Sequence, residues 1–198
     1  MIKKITTTIL VGLLLGGCGT TSLQSQVKLT RDVAVSQQVG NKNMFLNVTG
    51  LSGSGFEKTN LKNTLIEKLS QKGYKIVSSG SAAYRLDVKV LFINNLKEAG
   101  NIKNGIGQGI NGGMGARASG TDSLIAGVTI ALAGKVIGKA MEDSVYRAVV
   151  ELKITNIKNP QNIQTSRVLG EVKKMGLKPE EAMPILEDKV ASKIADIF

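Results

Sequence analysis

Hydrophobic and polar positions divide the chain into stretches of distinct period. Val27, Leu29, Val33 and Val35 fall on alternate positions, Arg31 being the exception, and Met44 to Thr49 forms a second short apolar run. A period of two places alternate side chains on one face of a strand, so two strands are expected here, followed by a loop at Ser52-Gly53-Ser54-Gly55. From Glu57 to Lys72 the period lengthens. Leu61, Leu65 and Leu69 recur every four residues with Ile66 beside them and lysines opposite, the stripe of an amphipathic helix, and Gly73 stands where a C-terminal cap belongs. Tyr74 to Val77 reads as a short strand. Tyr84, Leu86, Val88, Val90 and Phe92 then alternate with Arg85, Asp87 and Lys89 in a longer one. The same alternation returns at Tyr146, Ala148, Val150, Leu152 and Ile154, with Arg147, Glu151 and Lys153 assigned to the opposite face. Asn156 to Gln161 reads as a turn containing Pro160, and Thr165 to Lys174 as a weaker strand. Lys178 to Phe198 reads as a helix, with Pro179, Glu180 and Glu181 suited to its first turn and Leu186, Val190, Ile194 and Ile197 as its stripe. Pro184 is expected to delay or kink it.

The middle of the chain breaks this rhythm. Between Gly100 and Gly138 there are 11 glycines in 39 residues. Gly105, Gly109 and Gly113 are spaced by four, with Ile106, Ile110, Met114 and Ala118 running beside them. Leu124 to Met141 is nearly all small or apolar and carries Gly127, Gly134 and Gly138. An interior glycine costs a helix in water about 1 kcal/mol relative to alanine, whereas in lipid the backbone must bond internally and small residues let helices approach closely. A glycine-rich apolar helical hairpin that meets membrane or neighbouring copies at these six glycines is therefore expected, with a flexible glycine loop as the alternative. Lys135 and Lys139 keep the second half from spanning a bilayer alone. The fold class expected is α+β: an antiparallel-rich sheet, one packed amphipathic helix, the hairpin insertion over 100–141 and a C-terminal amphipathic helix.

The N-terminus adds an address. Lys3 and Lys4 precede an apolar run from Ile5 to Leu15, which is too short for a bilayer and matches a secretory signal. It ends in Leu14-Leu15-Gly16-Gly17-Cys18, the lipobox arrangement of an aliphatic residue, two small residues and a cysteine whose thiol accepts a diacylglyceryl group. Residues 1–17 are accordingly assigned to the signal peptide, 18–26 to a lipidated tether and 27–198 to a single domain. Gly19 replaces the aspartate that signals inner-membrane retention, which points to an outer-membrane lipid anchor. A multiply acylated cysteine holds stably, at about 0.8 kcal/mol for each buried methylene.

Composition narrows the chemistry. Cys18 is the sole cysteine and there is no histidine, which removes disulfides, Cys/His zinc sites and Ser-His-Asp or Cys-His catalysis. No metal or cofactor is expected. Loss of the signal lowers the formal net charge from +11 to +9. With no tryptophan and only four phenylalanines the chain lacks stacking platforms for nucleic acid, so anionic lipid is the better partner for its lysines. Gly107-Gln108-Gly109-Ile110-Asn111-Gly112 satisfies GxGxxG formally, but the preceding strand ends near Ile93, too early for a dinucleotide loop. Glu187 and Asp188 are adjacent on a helix and point apart, which argues against a paired-carboxylate enzyme.

The order of certain strings resembles the TraT family of surface-exclusion and complement-resistance lipoproteins. They are Lys72-Gly73-Tyr74, Ala82-Ala83-Tyr84, Glu142-Asp143, Leu177-Lys178-Pro179-Glu180-Glu181-Ala182 and Pro184-Ile185-Leu186-Glu187-Asp188, together with the lipobox. The resemblance implies a homo-oligomeric, non-enzymatic outer-membrane lipoprotein that blocks unwanted contact with surface components of other cells. Two departures stand out: the segment 156–166 is abbreviated, and the first half of the glycine-rich region is more polar than in the plasmid-encoded members. A structural or channel-like envelope assembly without an exclusion role is the alternative that the same features permit.

Overall fold

In the computed structural model the described residues are 22–33, 35, 42–51, 54–95 and 144–198. They build one six-stranded sheet: β1 (Gln24–Leu29), β2 (Asn43–Gly50), β3 (Lys75–Ile76), β4 (Tyr84–Asn95), β5 (Val145–Asn156) and β6 (Asn159–Lys173). Two helices accompany it, α1 (Leu61–Gln71) and α2 (Pro179–Ala195). The order across the sheet is β1-β6-β5-β4-β2-β3. The β1–β6, β6–β5 and β5–β4 pairs are antiparallel, while β2 runs parallel to both β3 and β4. A parallel pair requires a crossover, and α1 with β3 supplies the one between β2 and β4.

This corrects the expected fold class. The molecule is predominantly β, its strands holding about twice as many residues as its two α-helices, and one flank of the sheet is parallel. The helical hairpin is not among the observed elements, because 100–141 lies outside the described residues. Strand β1 begins at Gln24, inside the span 18–26 expected as a tether, and ends at Leu29, before Val33 and Val35.

Both helices pack on one face of the sheet. Leu61, Leu65 and Leu69 of α1 are fully buried, and Gly73 takes a φ of 85°, the left-handed conformation that lets the chain turn out of the helix. From α2, Ala182, Leu186, Val190, Ala191 and Ile194 enter the same core and meet Leu86, Val88, Val90, Tyr146, Ala148, Val150, Leu152, Val168 and Val172 of the sheet. Gly170 permits close approach: a Cβ there would lie 2.8 Å from Leu186 and 2.9 Å from Val190. Pro184 does not delay the start of α2, which is helical from Pro179 through Ala195. The only intrahelical bond it forfeits is to the carbonyl of Glu180, an exposed residue that water can serve.

One irregularity changes which face the end of β4 presents. The β4–β5 register shifts between Val90 and Phe92, leaving Leu91 as an extra residue. Phe92, expected in line with Val90, therefore opposes Val149, and Ile93 takes the place on the helix-side face opposite Ala148.

Candidate functional site

The face of the sheet away from the helices carries charge, and its arginines and carboxylates are paired. Arg147, on the face expected for it opposite Tyr146 and Ala148, is 4% exposed and holds Glu171, itself 1% exposed, at 2.8 Å; Gln26 of β1 donates to the same carboxylate at 3.3 Å. Beside them Phe92, Val145, Val149 and Leu169 are buried. Further along the face Arg167 meets Glu151 at 3.1 Å. Arg85 grips Asp87 through two nitrogens at 2.7 and 2.9 Å, and Asn47 donates to Asp87 at 3.0 Å. Burial pushes the Asp87 carboxyl up, but the bonds from Arg85 and Asn47 and the nearby charges of Arg85 and Lys153 outweigh it, leaving it below the usual carboxylate range. The sequence could have disclosed the Arg147–Glu171 pair only through register, which sets Arg147 opposite Glu171.

Among the described residues one buried carboxylate forms no ion pair. Glu187 of α2 is 7% exposed beside the start of α1, where the backbone of Asn60 donates to it. Burial raises its pKa above the ordinary value, and the Asn60 bond opposes that only in part. Its neighbour Asp188 points elsewhere and binds Lys68 at 2.6 Å, so the two acids do not form a catalytic couple. Among the described residues no cluster of carboxylates could hold a metal ion. A polar hollow of about 160 Å³ is lined by Gln24, Ser25, Gln26, Glu171 and Lys173, and a void of about 10 Å³ lies near Tyr84 and Ile154. Ligand sites are commonly about 300–1,000 Å³, so neither has the dimensions of a substrate cleft. Among the described residues no helix is long and apolar enough to cross a membrane.

The sheet has two dissimilar ends. At one end Gln24, Val145 and Lys173 lie in register and Asn95 pairs with Tyr146, so the chain enters β1, leaves β4, enters β5 and leaves β6 there. A tight turn follows β6, in which Lys174 N donates to the Ser144 carbonyl, Gly176 N to Ser144 Oγ and Leu177 N to the Lys174 carbonyl. It holds Met175 64% exposed, while Leu23, just ahead of β1, is 42% exposed. At the other end the two-residue turn Ile157-Lys158 joins β5 to β6, with Ile157 and Ile163 exposed. Of the residues singled out from sequence, Cys18, Gly105, Gly109, Gly113, Gly127, Gly134 and Gly138 all lie outside the described residues.

A sequence profile of the family described as enterobacterial TraT complement resistance protein matches residues 22–167. That span contains Lys72-Gly73-Tyr74, Ala82-Ala83-Tyr84 and Glu142-Asp143, but neither the lipobox nor the C-terminal strings. No curated protein matches the chain. Among solved structures it is similar to the PelC dodecamer of Paraburkholderia phytofirmans, at 10% identity and a TM-score of 0.45, and to a single-residue variant of it, at 9% and 0.46. Each similarity covers 88% of this chain and 96% of the other.

Proposed function

Because the chain belongs to the TraT family of complement-resistance proteins, we propose that it is an outer-membrane lipoprotein, acylated on Cys18, whose copies assemble into a non-catalytic surface barrier against complement and unwanted conjugation. The observation that carries this reading is the family match across residues 22–167, which takes in five of the six strands whole and the start of β6. The lipobox supplies the anchor, and the positive balance of the mature chain suits an anionic envelope surface.

The test uses a recipient strain expressing the full chain or Cys18→Ser. Intact mass of the mature protein is expected to begin at an acylated cysteine in the first and to lack acyl mass in the second. Serum survival and exclusion of incoming plasmid should both rise with the acylated form and return to the vector level with Cys18→Ser. Unchanged mating frequency and serum killing with a fully acylated protein would remove the barrier role.

One observation favours a second reading, an envelope assembly without exclusion. The connection between β5 and β6 is a two-residue turn. A loop inserted there is where a contact with another cell would be displayed, and this chain has none. The two readings part on the mating assay, since the second requires acylation and assembly without any change in plasmid entry.

A further inference from the structure

Building on the anchor reading, we infer that the end of the sheet bearing Leu23, Met175 and the turn from Lys174 to Lys178 rests on the phospholipid surface, so that the strands stand on the membrane and the β5–β6 turn points away from it. Chain length decides which end is near. Cys18 precedes Leu23 by five residues, a reach of at most about 17 Å even when fully extended. The twelve-residue strand β5 is about 40 Å long at the usual rise. An anchor at Cys18 therefore brings the Leu23 end to the lipid, and the Ile157-Lys158 turn cannot share that position while the sheet is upright.

The chemistry of this end fits the interface. Met175 is the most exposed large apolar residue among those described, held outward by a turn in which Gly176 has a φ of 68° and its N–H is fixed to Ser144 Oγ at 3.0 Å. Leu23 adds a second exposed apolar side chain at the same end, and β1 pairing of Gln24 with Lys173 keeps the two close in register. Around them Lys174 and Lys178 are exposed, with stems long enough to lie along an apolar boundary while their ammonium groups reach phosphate. Lys174 is 4.0 Å from Glu181, a long exposed pair that leaves the ammonium available. A lipid surface is the one occupant that both the anchor and the exposed apolar pair require.

The experiment uses the acylated full chain in vesicles of phosphatidylethanolamine and phosphatidylglycerol. Leu23→Cys, Met175→Cys and Ile163→Cys each introduce one free thiol for an environment-sensitive fluorophore, because acylation consumes that of Cys18. Labels at 23 and 175 are expected to shift to the blue on vesicle binding, to be quenched by a lipid-borne quencher and to lose access to iodide. The label at 163 should remain open to iodide. If the protein is acylated and vesicle-bound but iodide reaches 175 and 23 as freely as 163, the inference is overturned and the anchor stands. Lipid contact at all three sites would mean that the sheet lies flat, which also overturns it. A chain that carries no acyl mass and stays off the vesicles refutes the anchor itself, and the orientation falls with it.

Discussion

Glu187 lies where α2 passes the start of α1, a position that offers a backbone donor from Asn60 but little water. Because its pKa is raised in the folded state, the neutral carboxyl is the form the fold prefers. Its contribution is fully present below the unfolded carboxylate pKa and is lost as pH rises through the folded value. Glu187→Gln, which keeps the acceptor and removes the charge, should raise thermal stability at neutral pH, with the gain vanishing in acid below the ordinary glutamate range. A gain that persists unchanged at low pH would show that charge is not the cause. The buried pair Arg147–Glu171 behaves differently. Glu171→Ala strands a buried guanidinium and is expected to cost about 3–5 kcal/mol by denaturant unfolding, whereas Arg147→Met combined with Glu171→Leu should recover most of that loss. A double variant as unstable as Glu171→Ala alone would mean that the pair is more than a mutually compensated charge.

At the scale of elements, α1 was the most legible part of the sequence. Its Leu61, Leu65 and Leu69 stripe and its Gly73 cap encode local geometry, and all three leucines are fully buried, although the helix begins at Leu61 and not at the expected Glu57, which lies in a separate short turn of 3-10 helix. Leu65→Ala should cost roughly 2–5 kcal/mol by denaturant unfolding, and a loss below about 0.5 kcal/mol would place that leucine outside the core. The strands were legible as strands but not in full. The extra residue at Leu91 reverses the alternation of β4, and nothing in an apolar run such as Val90 to Ile93 distinguishes a bulge from continuous pleat. Strand β6 begins at Asn159, well before the expected Thr165, and includes Pro160. Proline is admitted because the β5–β6 register shifts between Thr155 and Asn156, leaving Pro160 outside the paired positions, and among the described residues β1 pairs with β6 only from Val168 onward, so a missing N–H leaves no gap in a ladder. Arg147 lies on the face its alternation with Tyr146 and Ala148 gave it, but its burial was not legible, because its partner Glu171 lies 24 residues away and is found only by register.

Across the whole molecule, the parallel flank was the least legible feature, because periodicity reports that a strand exists and not what it pairs with. Local pattern made β2, α1, β3 and β4 recognisable one by one. Their assembly into a crossover, and the placement of β1 at the far edge beside β6, depend on contacts between distant parts of the chain. The candidate site was legible in another sense: the lipobox is a local string, whereas the meeting of Leu23 and Met175 at one end follows only from the pairing of the first strand with the last. That pairing also has a consequence in time. Gln26 and Glu171, joined by a hydrogen bond, are separated by 145 positions, while β5 and β6 are joined by a two-residue turn. Such a turn closes quickly, and a contact between chain ends pays the full loop entropy. A chain exported from its N-terminus delivers β1 first, yet among the described strands β1 pairs only with β6, which lies in the final quarter of the sequence. The first strand to arrive is thus the last to be seated, and throughout that interval its unpaired edge begins six residues after Cys18, so when that cysteine is acylated the open edge waits at the membrane.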